Sequence, residues 1–118
     1  MEPIYKDLIE QTYANFNARD IDAAFTAMDP DVEWPSGWES GYLVGFEEVR
    51  DYWTHQWKQI NTTLHPIGYK SLSDDRVEVE VHQIAKDLSG ALLYEGKVKH
   101  VYSFENGLIK AMEIENEH

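Results

Sequence analysis

The stretch that decides the fold is "LYEGKVKHVYSFENGLIKAMEIE", residues 93–115. Every second residue in its first half falls on one face: Val98, His100, Tyr102 and Phe104. The opposite face carries Lys97, Lys99, Val101 and Ser103. A period of two is typical of a half-buried β-strand, and the "NG" pair at 106–107 is typical of a tight hairpin turn. The stretch therefore predicts a long antiparallel hairpin with His100 on its apolar face.

Two more strands are predicted upstream of this hairpin. The segment "RVEVEVHQIA", residues 76–85, alternates and places Val77, Val79 and Val81 on one face. A turn around Asp87–Gly90 would connect it to the final hairpin. An earlier strand over "TLHPIGYKSL" contains Pro66, which indicates an edge strand or a bulge. The second half of the chain therefore predicts an antiparallel meander.

The first half of the chain predicts three helices. The first has an apolar stripe formed by Tyr5, Leu8, Ile9, Thr12, Tyr13 and Phe16. The second is short, is capped by Asp20, and has a face of Ile21, Ala24, Phe25 and Met28. "DVEW" is extended, and the third helix follows Gly45 with Phe46, Val49, Trp53, Trp57 and Ile60 on one side. We expect a single α+β domain over residues 1–118, with a curved antiparallel sheet wrapped around the three helices.

Composition narrows the class of protein. The 118 residues carry 22 acidic and 10 basic side chains, a formal charge of −12, which disfavours binding to a phosphate backbone. We therefore expect no nucleic-acid partner. The apolar runs are too short for a membrane span, and the first residues are too acidic for a signal peptide. Together with the lack of cysteine, this predicts a cytoplasmic protein without membrane contact.

The order of these elements resembles the nuclear transport factor 2-like superfamily, and within it the SnoaL-like and ketosteroid-isomerase-like branch. Its most specific pieces are "NARDIDAAFTAMDPDVEW", residues 17–34, and the final hairpin. The resemblance covers nearly the whole chain. It implies a cone-shaped domain, or cystatin-like roll, with an apolar pocket at the wide end and homodimers through the outer sheet face. Members include isomerases, polyketide cyclases, epoxide hydrolases, dehydratases and domains that catalyse nothing.

The ketosteroid isomerase site does not carry over intact. That family's general base is an Asp before a Pro, and "VEWP" places Trp34 there. Its first-helix tyrosine position falls on Thr12, with Tyr13 one residue away, and its late-strand Asp position falls on His100. Because the base, the phenol and the acid all differ, we do not expect steroid isomerisation by that family's mechanism.

His100 is the candidate catalytic residue, with Tyr102 and Tyr13 as helpers. A histidine on an apolar face is more often a hydrogen-bonded core residue, but this one occupies the position of a family site residue. Burial would keep the imidazole neutral and able to act as a base or a hydrogen-bond donor. The candidate ligand-stacking residues are Trp34, Trp38, Trp53, Trp57 and Phe16. Trp34 either fills the pocket or lines it. Trp38 has two possible roles: a structural one, as a buried lid residue or a dimer contact, or a functional one, as a lid that stacks on the ligand.

Two functions follow from these expectations. The first is a pocket for a small hydrophobic or aromatic molecule, with cofactor-free acid/base chemistry of the isomerase, cyclase or dehydratase type. The alternative is a non-catalytic dimeric module that binds a ligand or a protein partner. The remaining histidines lack the spacing of a metal-ligand set, so we expect no metal; they are His55, His65, His82 and His118.

Overall fold

We describe the chain from a computed structural model, which covers residues 5–35 and 42–115. The helices of these ranges are α1 (Lys6–Asn17), α2 (Ile21–Phe25) and α3 (Phe46–Trp57). The strands are β1 (Met28–Pro35), β2 (Tyr42–Val44), β3 (Ile60–Ser73), β4 (Arg76–Asp87), β5 (Leu92–Glu105) and β6 (Leu108–Glu115). The predicted α+β class is confirmed.

The six strands form one sheet in the order β2-β1-β6-β5-β4-β3. Neighbouring strands are antiparallel, except that β1 runs parallel to β6, with Met28 opposite Ile109. The register of β3 and β4 shifts between Pro66 and Gly68, and β3 is an edge strand, as the proline predicted. On the core face His100 pairs with Val79, and Tyr102 pairs with Val77. The alternation in residues 98–104 therefore directs the imidazole towards the helices.

Local side-chain chemistry fixes both predicted hairpin turns. Asn106 and Gly107 have φ values of 55° and 80°, the left-handed pair that a two-residue hairpin requires. In the β4–β5 turn, Asp87 Oδ1 accepts hydrogen bonds from the backbone N–H of Ser89 and of Ala91, each at 2.9 Å. Gly90 adopts a φ of 96° there, which side-chain-bearing residues rarely adopt. These turns set the register that brings His100 to the core face.

The short helix α2 begins where the sequence predicts but ends earlier. Asp20 caps α2 by accepting a hydrogen bond from the backbone N–H of Ala23 at 3.2 Å. The predicted apolar face of α2 was one turn too long, because Met28 opens β1 and pairs with β6 instead. Within the described ranges, none of the helices has the length and apolar character needed to cross a membrane.

An aromatic cluster joins α1 and α3 to the sheet. Trp53 lies at its centre, and its side chain is only 1% exposed. Four rings have centroids 5.3–5.9 Å from that of Trp53: Phe16, Phe25, Trp34 and Trp57. Phe16 and Trp34 pack edge-on against Trp53, and this geometry stabilises aromatic pairs beyond the effect of burial alone. The cluster fixes one wall of the cavity described next.

Candidate functional site

A partly open cavity of about 130 Å³ lies between the helices and the concave face of the sheet. From the helices, α1 contributes Tyr13 and Phe16, and α3 contributes Trp53. From the sheet, β1 contributes Trp34, β5 contributes His100 and Tyr102, and β6 contributes Met112 and Ile114. Six of the eight candidate site residues named from the sequence therefore line one cavity: Tyr13, Phe16, Trp34, Trp53, His100 and Tyr102.

Three polar side chains form a buried hydrogen-bonded chain at this cavity. Tyr13 Oη lies 2.7 Å from His100 Nδ1. The hydroxyl of Tyr102 donates a hydrogen bond to the oxygen of Tyr13, also at 2.7 Å. His100 is 4% exposed, so the chain is shielded from bulk water. Tyr13 therefore links the imidazole to the second phenol, and all three groups border the same space.

Burial keeps all three groups uncharged at neutral pH. It lowers the pKa of the His100 imidazole from 6.5 to about 4, because the imidazolium would lose its hydration. Burial also raises the pKa of Tyr13 well above 10, and the neighbouring Tyr102 raises it further. The pKa of Tyr102 is likewise raised, mainly by burial. The three side chains are therefore neutral hydrogen-bond donors and acceptors at neutral pH.

In the arrangement in which Tyr102 donates to Tyr13, the hydrogen bonds set which nitrogen of His100 carries the proton. Because Tyr13 accepts from Tyr102, its own proton is free to be donated to Nδ1 of His100. A neutral imidazole that accepts at Nδ1 carries its proton on Nε2. None of the hydrogen bonds among the described residues involves Nε2 of His100.

The four tryptophans have different places. Trp34 and Trp53 line the cavity, with Trp34 edge-on to Trp53 at 5.3 Å. Trp57 packs against Phe16 and Trp53, and it is not among the described residues that line the cavity. The guanidinium of Arg19 lies 4.8 Å from the centroid of the Trp57 ring. Trp38 lies outside the described residues.

Sequence reasoning missed several lining residues. Gln83 follows the alternation of Val79 and Val81 on β4, and Ile114 follows that of Met112 on β6, so the period of two could have found both. The helical residues Tyr52 and Gln56 lie three and seven positions after the buried Val49 on α3, so helical spacing could have found both. Thr12, Pro35, Thr62 and Leu64 complete the lining.

Thr62 is a lining residue with an unpaired hydroxyl. Its side chain is 3% exposed, and its Oγ1 has no hydrogen-bond partner within residues 5–35 and 42–115. A buried polar atom without a partner destabilises the folded state by roughly 1–3 kcal/mol.

We expect Thr62→Val to raise the free energy of unfolding by about 1 kcal/mol, because valine has nearly the same shape and no hydroxyl to desolvate. Urea denaturation of both proteins measures this change. Thr12→Val is the matched control, since the Thr12 hydroxyl donates to the Leu8 carbonyl at 2.9 Å and its loss brings no gain. A Thr62→Val protein less stable than the wild type would contradict the prediction.

The other described histidines and carboxylates do not line the cavity. Across the two described ranges, no group of three or more such side chains is arranged to hold a metal ion. His82 Nε2 lies 2.9 Å from Glu95 Oε2, and both residues are partly exposed on the outer face of the sheet. The expectation that the protein needs no metal or cofactor stays a prediction.

Comparison with known structures gives full-length matches. An NTF2-like protein of unknown function from Burkholderia pseudomallei is 25% identical, with a TM-score of 0.83; the match covers 99% of this chain and 92% of that one. TerC co-crystallised with polyporic acid is 25% identical, with a TM-score of 0.84 and coverage of 98% and 92%. RV0760c from Mycobacterium tuberculosis, in complex with estradiol-17beta-hemisuccinate, has the same fold at 17% identity, with a TM-score of 0.82 and coverage of 98% and 95%.

The sequence itself gives the family. No curated protein matches the chain. The family model of the SnoaL-like domain, by contrast, matches residues 9–112, which include most of the helices and of the sheet and all three residues of the hydrogen-bonded chain. The protein therefore belongs to the SnoaL-like domain family of the NTF2-like superfamily.

Proposed function

We propose that the protein binds a small, uncharged, largely apolar molecule in this cavity and catalyses proton transfer next to a carbonyl group without a cofactor. The observation that carries the proposal is the buried chain from His100 through Tyr13 to Tyr102. Both ends of that chain line the cavity, so one ligand can contact both. Isomerases, cyclases and dehydratases all use such proton transfers.

The chain can exist with two directions of hydrogen bonding. In the first, described above, Tyr102 donates to Tyr13, Tyr13 donates to Nδ1, and Nε2 carries a proton. In the second, Nδ1–H donates to Tyr13, Tyr13 donates to Tyr102, and the Tyr102 hydroxyl donates to the ligand. Nε2 then has a free lone pair and can act as a base. Both forms are neutral, which suits a buried site.

Proton transfer converts one form into the other. Nε2 accepts a proton from the carbon next to the carbonyl, and the C–H electron pair forms the C=C bond of an enol. The Nδ1 proton moves to Tyr13, the Tyr13 proton moves to Tyr102, and the Tyr102 proton moves to the carbonyl oxygen. The enol then returns a proton to Tyr102 and takes one from Nε2, at the same carbon or another. No net charge develops on the protein in either step.

The comparisons support an organic ligand. TerC, which is 25% identical over almost the whole chain, was crystallised with polyporic acid. The apolar side of the cavity in this protein includes Phe16, Trp34 and Trp53, whose rings can pack against an apolar molecule. The polar side is formed by the hydrogen-bonded chain. This division into an apolar wall and a few placed polar groups is typical of small-molecule sites.

The proposal extends to assembly and location. A homodimer would form through the outer sheet face, where Lys99 and Glu78 lie 3.7 Å apart and can exchange partners between copies. Sedimentation velocity measures the oligomeric state, and a monomer at micromolar concentration would contradict a dimer. The absence of cysteine supports a cytoplasmic location.

We expect the wild-type protein to accelerate exchange of the α-hydrogens of cyclohexanone for deuterium in D₂O, as followed by ¹H NMR. His100→Gln is expected to reduce this acceleration by about 10²-fold or more, the usual scale of general acid–base catalysis. Tyr102→Phe is expected to reduce the acceleration by a smaller factor. This variant loses the phenol that stabilises the enol oxygen, but it keeps His100 as the base. Trp57→Phe is the control, since Trp57 packs behind the cavity wall.

The possible results separate the two functions. Binding of cyclohexanone without exchange would favour a non-catalytic binding module. Exchange that survives His100→Gln unchanged would show that His100 is not the base. If no ketone binds to the protein, the proposed ligand site is wrong.

A further inference from the structure

We propose that Trp34 sets the depth of the cavity and restricts its ligand to an uncharged molecule with a single six-membered ring. This inference rests on the proposed function and defines the class of molecule that the site accepts. Three features of the described residues carry it: the fixed position of the indole, the volume that remains, and the lack of charge in the lining.

Trp34 packs against two buried aromatic rings. Its centroid lies 5.3 Å from that of Trp53 at an interplanar angle of 84°, and 6.3 Å from that of Tyr102 at 61°. Trp34 itself is 8% exposed, while Trp53 and Tyr102 are almost fully buried. Because these neighbours leave the indole little room, it cannot swing aside without disturbing the core. Trp34 is therefore a fixed wall of the cavity.

The volume left in front of this wall suits one ring. The cavity encloses about 130 Å³. An engineered cavity of about 150 Å³ in another protein binds benzene, which sets the scale for a single six-membered ring. A second fused ring would have to displace Trp34 or extend through the open side of the cavity. The wild-type site is therefore expected to prefer the smaller molecule, although the hydrophobic effect alone favours the larger one.

The described part of the lining carries no charge that could bind a charged ligand. None of the described residues around the cavity is an Asp, Glu, Lys or Arg. His100 and both tyrosines are neutral at pH 7, because burial shifts the pKa of each away from that value. A ligand ion would lose hydration without gaining a counter-charge, which is strongly unfavourable. The formal charge of −12 further disfavours anions.

The experiment compares three probes by NMR titration at pH 7: cyclohexanone, the fused two-ring ketone 1-tetralone, and cyclohexanecarboxylate. We expect the wild-type protein to bind cyclohexanone at least about tenfold more tightly than either of the others, a difference of about 1.4 kcal/mol. Trp34→Ala removes a two-ring side chain and is expected to reverse the preference between the two ketones. Trp57→Phe, which alters a tryptophan outside the lining, is expected to leave it unchanged.

Trp34→Phe provides a second, milder variant if the alanine protein does not fold. It keeps an aromatic ring against Trp53 and is expected to raise the affinity for 1-tetralone relative to cyclohexanone. The inference is overturned if the wild type binds 1-tetralone or the carboxylate as tightly as cyclohexanone, or if both Trp34 variants leave the preference unchanged. Failure of both ketones to bind the wild type would instead overturn the proposed function.

Discussion

Replacing Trp53 by alanine is expected to lower the free energy of unfolding by about 3–5 kcal/mol, the usual cost of deleting a large buried aromatic side chain. Trp53 is 1% exposed and packs against four other aromatic rings, so its removal leaves a cavity that these neighbours cannot fill. Domains of this size are stable by roughly 5–15 kcal/mol in total. A large part of the stability therefore depends on this one side chain.

Urea denaturation monitored by circular dichroism measures the effect. Leu93→Ala is the control, because Leu93 is 58% exposed and its truncation should change stability by no more than about 0.5 kcal/mol. A change of about 1 kcal/mol is the mean effect of a point mutation. If the free energy of unfolding of Trp53→Ala lies within this range of the wild-type value, the aromatic cluster does not stabilise the fold as its geometry indicates.

The fold was largely predictable because its signals are local. Alternation along residues 98–104 and the "NG" turn at 106–107 depend on neighbours in sequence, and they specified the β5–β6 hairpin. The parallel pairing of β1 with β6 joins residues about eighty positions apart, so no local pattern marks it. At Met28 the local pattern and the long-range pairing disagree. Its spacing fits a helix face, but pairing with Ile109 places it in a strand.

The candidate site was predictable only residue by residue. Alternation indicated that His100 and Tyr102 share the core face, and helical spacing indicated that Tyr13 is buried. That Tyr13 lies between the other two depends on the tertiary packing of α1 against β5, which a sequence pattern does not record. The position of Trp57 behind Phe16 is equally a matter of packing, because Trp53 and Trp57 share one helix face.

The pH dependence of stability is expected to reveal the burial of His100. The pKa of its imidazole is about 4 in the folded protein, whereas the unfolded chain has the ordinary value of 6.5. Between pH 4 and pH 6.5 the unfolded state therefore binds more protons than the folded state. Stability therefore falls as the pH decreases through this window. The loss attributable to His100 is about 3 kcal/mol by pH 4, and it levels off at lower pH, where both states are protonated.

The experiment compares the wild type with His100→Gln, measuring the free energy of unfolding in urea from pH 7.5 to 4. Glutamine does not titrate and can still hydrogen-bond to Tyr13, so the variant should lose the part of the pH dependence that comes from His100. Acidic residues common to both proteins cancel in the difference. His65→Gln is the control, because it makes the same substitution at an exposed histidine that is not part of the hydrogen-bonded chain. Parallel profiles for the wild type and His100→Gln would mean that the imidazole is protonated as readily in the folded protein as in the unfolded chain, and the neutral hydrogen-bonded chain would be wrong.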